Sequence, residues 1–409
     1  MTTPQPPHIA LFPGAGMGHL MPFLRLAAML AKQDSIVTVI TGQPTVSITE
    51  SDHISSFLHH NPKINHLELQ LAPSFQQADS APVDPFFLQM HHINQSIFLL
   101  HPLLSSSSPP FSAIFVDFPL VAKVAPIAKT LDLPIYILST TSVAFVSLMA
   151  YLPVLTSNPA EFNKNSAEIK IPGLPPMAMS SIPPVFLDST LSEAKGILMN
   201  TFEWFQASTL AALNKAKVIK SLPPVLPMGP LEPYHLPHDD DGDQYRSWLE
   251  NQPALSVVYI SFGNRTAMSR DQIKELEKGL ENTGWRFFWV LKTSKVDKDE
   301  QEDAKHFLNH SFLEKIKDKG LIIKGWVDQL EILRHPAIGG FLSHCGWNSV
   351  MEAALEGVPI LAWPQHGDQR LNAQVMEDAG LGLWERNWDW GPNVIVKGEE
   401  IEKKIVESS

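Results

Sequence analysis

Short apolar runs without polar alternation recur along the chain, each followed by a segment with helical spacing. In the first half they are His8–Phe12, Ile36–Thr41, His66–Ala72, Ala113–Asp117 and Pro134–Leu138. A glycine-rich turn and a helical pattern from Leu20 to about Gln33 follow the first run, and a helix through Leu152 follows the last. A strand buried on both faces loses its period-two alternation, as a parallel sheet covered by helices requires. The second half restarts the pattern at Ser256–Phe262, then Arg286–Leu291, Leu321–Trp326, Ile338–His344 and Val358–Trp363, with helical segments at Asp271–Asn282, Trp347–Glu356 and Asp368–Ala379. Prolines at 153, 159, 172, 175, 176, 183 and 184 argue against a long helix in that stretch. A second proline-rich stretch, Leu222–Pro237, reads as a linker. The pattern predicts α/β architecture: two Rossmann-like parallel-sheet domains facing across a cleft, over residues 1–221 and 238–409 with 222–237 between them.

Composition narrows the class. A chain of 409 residues suits two large domains, and 44% apolar with 18% charged residues excludes a disordered protein or a disulfide-stapled miniature. A net charge of −12 argues against a nucleic-acid binder, which needs a basic face. Cys345, the single cysteine, has no intrachain partner and fits a reducing compartment. Met1–His8 lacks the charged-then-apolar order of a signal peptide, and apolar stretches such as Leu20–Leu30 are short and broken by Arg25. The expectation is a cytoplasmic, acidic monomer with no membrane span.

Chemistry concentrates where strands end. Gly14-Ala15-Gly16-Met17-Gly18-His19 follows the first strand, and its small residues allow a tight turn close to a ligand. A dinucleotide fingerprint would place glycine at position 19 and an acid at the end of the second strand; this chain has His19 and Thr41-Gly42, which disfavours a dehydrogenase. Imidazole suits proton transfer near neutral pH, so His19 is a candidate base, the alternative being a surface histidine in a turn. Asp117 ends the fourth strand, which can neighbour the first in such a sheet. Its carboxylate is then placed to orient His19; the alternative is a helix N-cap after Pro119.

The richest segment runs from Trp326 to Gln369. His344 ends a strand and Trp347 opens a helix, so backbone N–H groups and the helix dipole form an anion site suited to a diphosphate. Asn348, Ser349 and His344 add donors, Trp326 offers a face for a planar base, and Glu352 is one turn from Ser349, in reach of ribose hydroxyls. Asp368 and Gln369 follow the next strand and suit sugar hydroxyls. Base, ribose, diphosphate and sugar can be laid along this series in order.

This 44-residue segment resembles the signature box of plant family-1 UDP-sugar-dependent glycosyltransferases, and the likeness extends over the chain through Gly18-His19 and Ser261-Phe262-Gly263. It implies the two-domain glycosyltransferase B fold, with acceptor in the N-terminal domain and UDP-sugar in the C-terminal one. It further implies Trp326 on uracil, the Val327 backbone at the uracil edge, Gln329 and Glu352 on ribose, and His344, Asn348 and Ser349 on phosphates. Trp347, Asp368 and Gln369 fall on the sugar, with Gly18, Ser261 and Gly346 lining the donor and Thr140 reaching an outer sugar hydroxyl. Gln369 resembles the residue of glucose-preferring members. The Pro13–Leu20 start, Arg265–Ser269, Trp363–Arg370 and Val396–Glu400 resemble the branch that attaches glucose to a ring carbon of polyhydroxylated aromatic ketones and flavonoid precursors. What the resemblance implies is thus inverting glucosyl transfer from UDP-glucose, a co-substrate, to a polyphenol acceptor, with O-glucosylation or a catalytically silent UDP-sugar binder as alternatives. Relatives of this kind continue past position 409, and Pro184–Lys195 is shorter than their helical insert.

No metal or cofactor is expected. Asp239–Asp243 misses the calcium-loop spacing and reads as a solvated loop. His59-His60 and His91-His92 are adjacent pairs that point to different sides of a helix. Cys345 reads as a buried small residue.

Overall fold

The computed structural model describes residues 5–72, 84–157, 168–171, 177–178, 191–215, 219, 222–234, 242–294, 307–389 and 394–408. The chain forms two compact units, Met1–Leu236 and Pro237–Ser409.

The first unit holds β1 (His8–Phe12), β2 (Ile36–Gln43), β3 (Ile64–Gln70), β4 (Ala113–Asp117), β5 (Ile135–Ser139), β6 (Ile197–Met199) and β7 (Val225–Pro227). They run parallel in the order β3-β2-β1-β4-β5-β6-β7. Every residue of β1 is buried, which is why its sequence shows no alternation. Helix α1 (Met17–Lys32) packs Leu20, Phe23, Leu24 and Ala27 against Leu11, Val37, Val39 and Phe57. Full burial of each large apolar side chain contributes about 1.5–3 kcal/mol. Helix α2 (Ile48–His60) opens on Ser47, whose hydroxyl accepts the Glu50 N–H at 3.1 Å.

Three local expectations change here. The first helix starts at Met17 rather than Leu20, because Gly16, at φ 90°, completes the turn alone and frees the next residue to wind. Helix α3 (Val143–Ser157) continues through Pro153 and past the Leu152 end read from the sequence. The proline-rich 222–237 stretch is not all linker: Val225–Pro227 pairs with Ile197–Met199 as the edge strand of the sheet, where proline is tolerated.

The second unit holds β8 (Val257–Ser261), β9 (Arg286–Leu291), β10 (Gly320–Lys324), β11 (Ile338–Ser343), β12 (Ile360–Ala362) and β13 (Gly382–Trp384). The order is β10-β9-β8-β11-β12-β13, again parallel; β13 carried no clear sequence signal. Helix α4 (Arg270–Thr283) starts on the Ser269 cap and stops at left-handed Gly284. Helices α5 (Gln329–Arg334), α6 (Trp347–Glu356), α7 (Gln369–Asp378) and α8 (Gly398–Ser408) follow. Ile260, Ile273, Leu276, Trp289, Leu342, Trp363 and Ile401 belong to one buried core.

In both sheets the strand order reverses at one point, between β1 and β4 and between β8 and β11. Open α/β sheets bind ligands beyond the strand ends at such a reversal.

Candidate functional site

At the first reversal, β1 and β4 pair with Phe12 opposite Val116, so the chain leaves β1 beside Asp117. Asp117 Oδ2 accepts the Gly14 N–H at 3.0 Å and lies 2.6 Å from His19 Nδ1. The Asp117 side chain is fully buried, whereas that of His19 keeps 29% exposure. A carboxylate accepts only, so the shared proton belongs to Nδ1, which makes Nε2 the basic nitrogen of the neutral ring. The capping alternative for Asp117 fails: it precedes a short helical turn but its side chain makes no cap bond there. Thr140 Oγ1 is 3.2 Å from the same Nδ1. Gly18 and His19 lie in the first turn of α1, Gly18 exposed, where sequence placed them in a turn before the helix.

Sequence reasoning missed Glu50. Its buried carboxylate accepts the Gly16 N–H at 3.0 Å and the Val46 N–H at 3.2 Å. Gly16 is the N-cap of α1 and brings no side chain to that end, so Glu50 supplies the anion there and braces the turn carrying His19. The signal was present as the capping-box pattern Ser47-x-x-Glu50. That pattern locates the start of α2 but does not say that the carboxylate is also spent on another helix.

At the second reversal, Ser261 and Ser343 are paired strand ends, and the His344 ring lies between Gly263 and Gly346. A Cβ at Gly263 would sit 2.5 Å from His344 Nε2, and one at Gly346 would sit 2.6 Å from it. Only glycine fits at either place. Burial lowers the His344 pKa to about 3; repulsion from His366 adds to this and a bond to the Ser261 backbone opposes it. The ring is neutral, and its Nδ1 has no partner among the described residues. β11 ends at Ser343, one residue earlier than read from sequence, because Cys345 turns the chain at φ 60°. Cys345 is buried, and burial with the nearby Asp368 pushes its thiol pKa up, so it stays protonated and unreactive.

Around this point the box residues fall into groups. Trp326 keeps 46% exposure, a large apolar face left open, while Val327 beside it is buried. Gln329 Nε2 donates to Ser349 Oγ at 3.0 Å and to Glu352 Oε2 at 2.8 Å. Ser349 thus joins the Gln329–Glu352 cluster rather than standing apart with His344. Gly346 is the N-cap of α6 and has no capping side chain; Trp347, the first helical residue, is 2% exposed, and Asn348 is half-buried. The buried Trp347 ring offers a ligand little open face, because it packs into the unit instead. Gln369 Oε1 accepts the N–H groups of Gln365 at 2.8 Å and His366 at 3.0 Å, so its amide oxygen holds its own loop. Asp368, the N-cap of α7, lies 2.9 Å from Asn372 Nδ2.

Among the described residues, no three or more His, Cys, Asp and Glu side chains gather as a metal site would require, and no helix is long and apolar enough to cross a membrane. Asp239–Asp241 lie outside the described residues, and Gly242 and Asp243 open a helix over Gly242–Glu250.

The profile of the family described as "UDP-glucoronosyl and UDP-glucosyl transferase" matches residues 220–386. UDP-glycosyltransferase 708G2 of Citrus unshiu is 46% identical over 420 aligned positions, covering 98% of this chain and 88% of its own. UDP-glycosyltransferase CGT of Oryza sativa subsp. indica is 42% identical, with 98% and 87% covered. The crystal structure of LpCGTa in complex with UDP superposes with a TM-score of 0.83 at 42% identity, covering 98% of this chain and 90% of that one.

Proposed function

The chain belongs to the plant family-1 UDP-glycosyltransferases and has their two-unit glycosyltransferase B fold, and from that premise we propose that it transfers glucose from UDP-glucose, with inversion, to a ring carbon of a polyphenol. The observation that carries this reading is the His19–Asp117 pair at 2.6 Å, set at the point of the first sheet where a reactant is expected. His19 Nε2 takes a phenolic proton, and Asp117 holds the ring and balances the imidazolium that forms. Phenoxide charge spreads to the ortho carbon, which attacks the anomeric carbon as its bond to the diphosphate oxygen breaks and UDP leaves. The attacked ring carbon then gives its proton to solvent, which restores aromaticity as a phenoxide, and the His19 imidazolium returns its proton to that oxygen.

The second unit takes the donor in this reading. Trp326 stacks on uracil and the Val327 backbone meets its edge, while Gln329, Glu352 and Ser349 face ribose. His344, Gly346, Asn348 and the α6 N-terminus receive the diphosphate beside Ser261, and Trp347 contributes through its backbone N–H. Asp368 and Gln369 take the glucose hydroxyls, and Gly18 and Thr140 complete the acceptor-side residues near the reacting sugar. UDP-glucose is a co-substrate, and the reading uses no metal or other cofactor. The similarity to proteins named CGT supports C-transfer over O-transfer.

The test is product chemistry. An acceptor with a 1,3,5-trihydroxyphenyl ketone unit is incubated with UDP-glucose, and the product is heated in acid. A C–C bond lacks the oxygen whose protonation releases the sugar, so glucose should stay attached. Recovery of free acceptor would make the enzyme an O-glucosyltransferase, and no UDP release at all would make it a silent binder.

A further inference from the structure

Asp328 and Asp368 each precede a helix, Asp328 in extended backbone and Asp368 already in helical backbone, and they use their carboxylates differently. Asp328 accepts the Glu331 N–H at 3.1 Å, the usual work of an N-cap aspartate. Asp368 makes no such bond to α7. Its Oδ2 instead receives Nδ2 of Asn372 at 2.9 Å, and the same Nδ2 donates to the Cys345 carbonyl at 3.1 Å. An amide NH₂ has two hydrogens, so one can serve each acceptor. Asn372 is fully buried.

The far end of this link is strained. Cys345 is a non-glycine residue at φ 60°, a conformation that costs about 1–3 kcal/mol and persists only where its surroundings over-determine it. Here its N–H donates to Ser343 Oγ at 3.1 Å and its carbonyl accepts from Asn372, both partners fully buried. The strained turn leads directly into Gly346 and the start of α6.

We propose that Asn372, one turn into α7, is a positioning residue for the donor sugar: its amide engages the Asp368 carboxylate, which makes no cap bond to the α7 backbone, and ties it to the turn at Cys345. This rests on the reading of Asp368 as a glucose ligand. The geometry of the sugar end is thereby tied to that of the diphosphate end through one amide.

The test measures dissociation constants for UDP and UDP-glucose by calorimetry in the wild type, Asp368→Ala, Asn372→Ala and the double variant. The readout is the ratio of the UDP-glucose constant to the UDP constant, which a general loss of stability does not move. Asp368→Ala should raise the ratio by roughly tenfold or more, the effect of a hydrogen bond to a charged group. Asn372→Ala should raise it in the same direction, and the double variant should go no higher than Asp368→Ala alone. A wild-type ratio in Asn372→Ala, or a multiplied effect in the double variant, overturns the positioning role while leaving Asp368 as a ligand. A wild-type ratio in Asp368→Ala overturns the sugar reading itself, and the positioning role falls with it. If Asn372→Ala does not give a cooperative melt, Asn372→Asp decides by the same ratio; it keeps the volume but sets a like charge against Asp368.

Discussion

The two units share a strand order, and each sets a histidine at its reversal, His19 beyond the first strand and His344 beyond the fourth, yet the two imidazoles are prepared for different work. In the first unit His19 stands partly exposed with a buried carboxylate 2.6 Å from Nδ1. In the second, His344 sits between two glycines with no carboxylate partner among the described residues, and burial holds it neutral to about pH 3. A histidine with an anionic orienter can take up a proton and have the new charge balanced. One whose charged form burial disfavours can only offer a neutral hydrogen bond, which in the proposed reading goes to the diphosphate, and it is a poor proton acceptor. The lesson is that strand order sets where the histidine goes, while the residues within a few ångströms decide what it does.

Removing each histidine should therefore damage different quantities. The largest effect belongs to His19→Ala, which should lower turnover by roughly 10²–10⁴ and leave UDP affinity near wild type. Loss of UDP affinity with turnover intact would reverse the roles assigned to the two units. Next, His344→Ala should weaken UDP binding about ten- to a hundredfold, the range for a hydrogen bond to a charged partner. If calorimetry shows UDP affinity unchanged, the second histidine is only packing, and the contrast between the units loses one side.

Acid stability gives a smaller effect in which the units should agree. His53 in the first unit bonds Tyr234 at 2.5 Å, and burial, then the Arg25 charge, lowers its pKa to about 4. The ordinary value is 6.5, so below that pH the unfolded chain binds protons that the folded His53 and His344 refuse. Stability is fully present above about pH 6.5 and is lost as the pH falls toward 4. The slope is roughly 1.4 kcal/mol per pH unit for each group. Melting temperatures between pH 7 and pH 5 would check this, and His53→Gln should flatten the fall; an unchanged fall would show that His53 does not carry it. The smallest effect expected is none: excess EDTA should leave the rate unaltered, because the α6 N-terminus supplies the positive potential. A rate lost to EDTA and restored by Mn²⁺ would show that the second unit works through a cation.

Much of this was legible in the residues themselves. Continuous apolar runs such as Val257–Ser261 announce strands buried on both faces, since burial on one face only would force alternation. Polar residues gathered at strand ends marked His19, Asp117 and the Trp326–Gln369 segment, because backbone and side-chain donors there have no sheet partner to satisfy them. Tertiary structure alone decided the rest. Nothing local to Val225–Pro227 says that it completes a sheet edge, because three residues, one of them a proline, form a strand only when a partner such as Ile197–Met199 is present. Glu50 reaches a helix end 34 positions away, and Asn372 reaches a carbonyl 27 positions away. A buried polar side chain must find a partner, but any nearby donor or acceptor satisfies that need, so the choice is made only when the chain has folded and distance selects one.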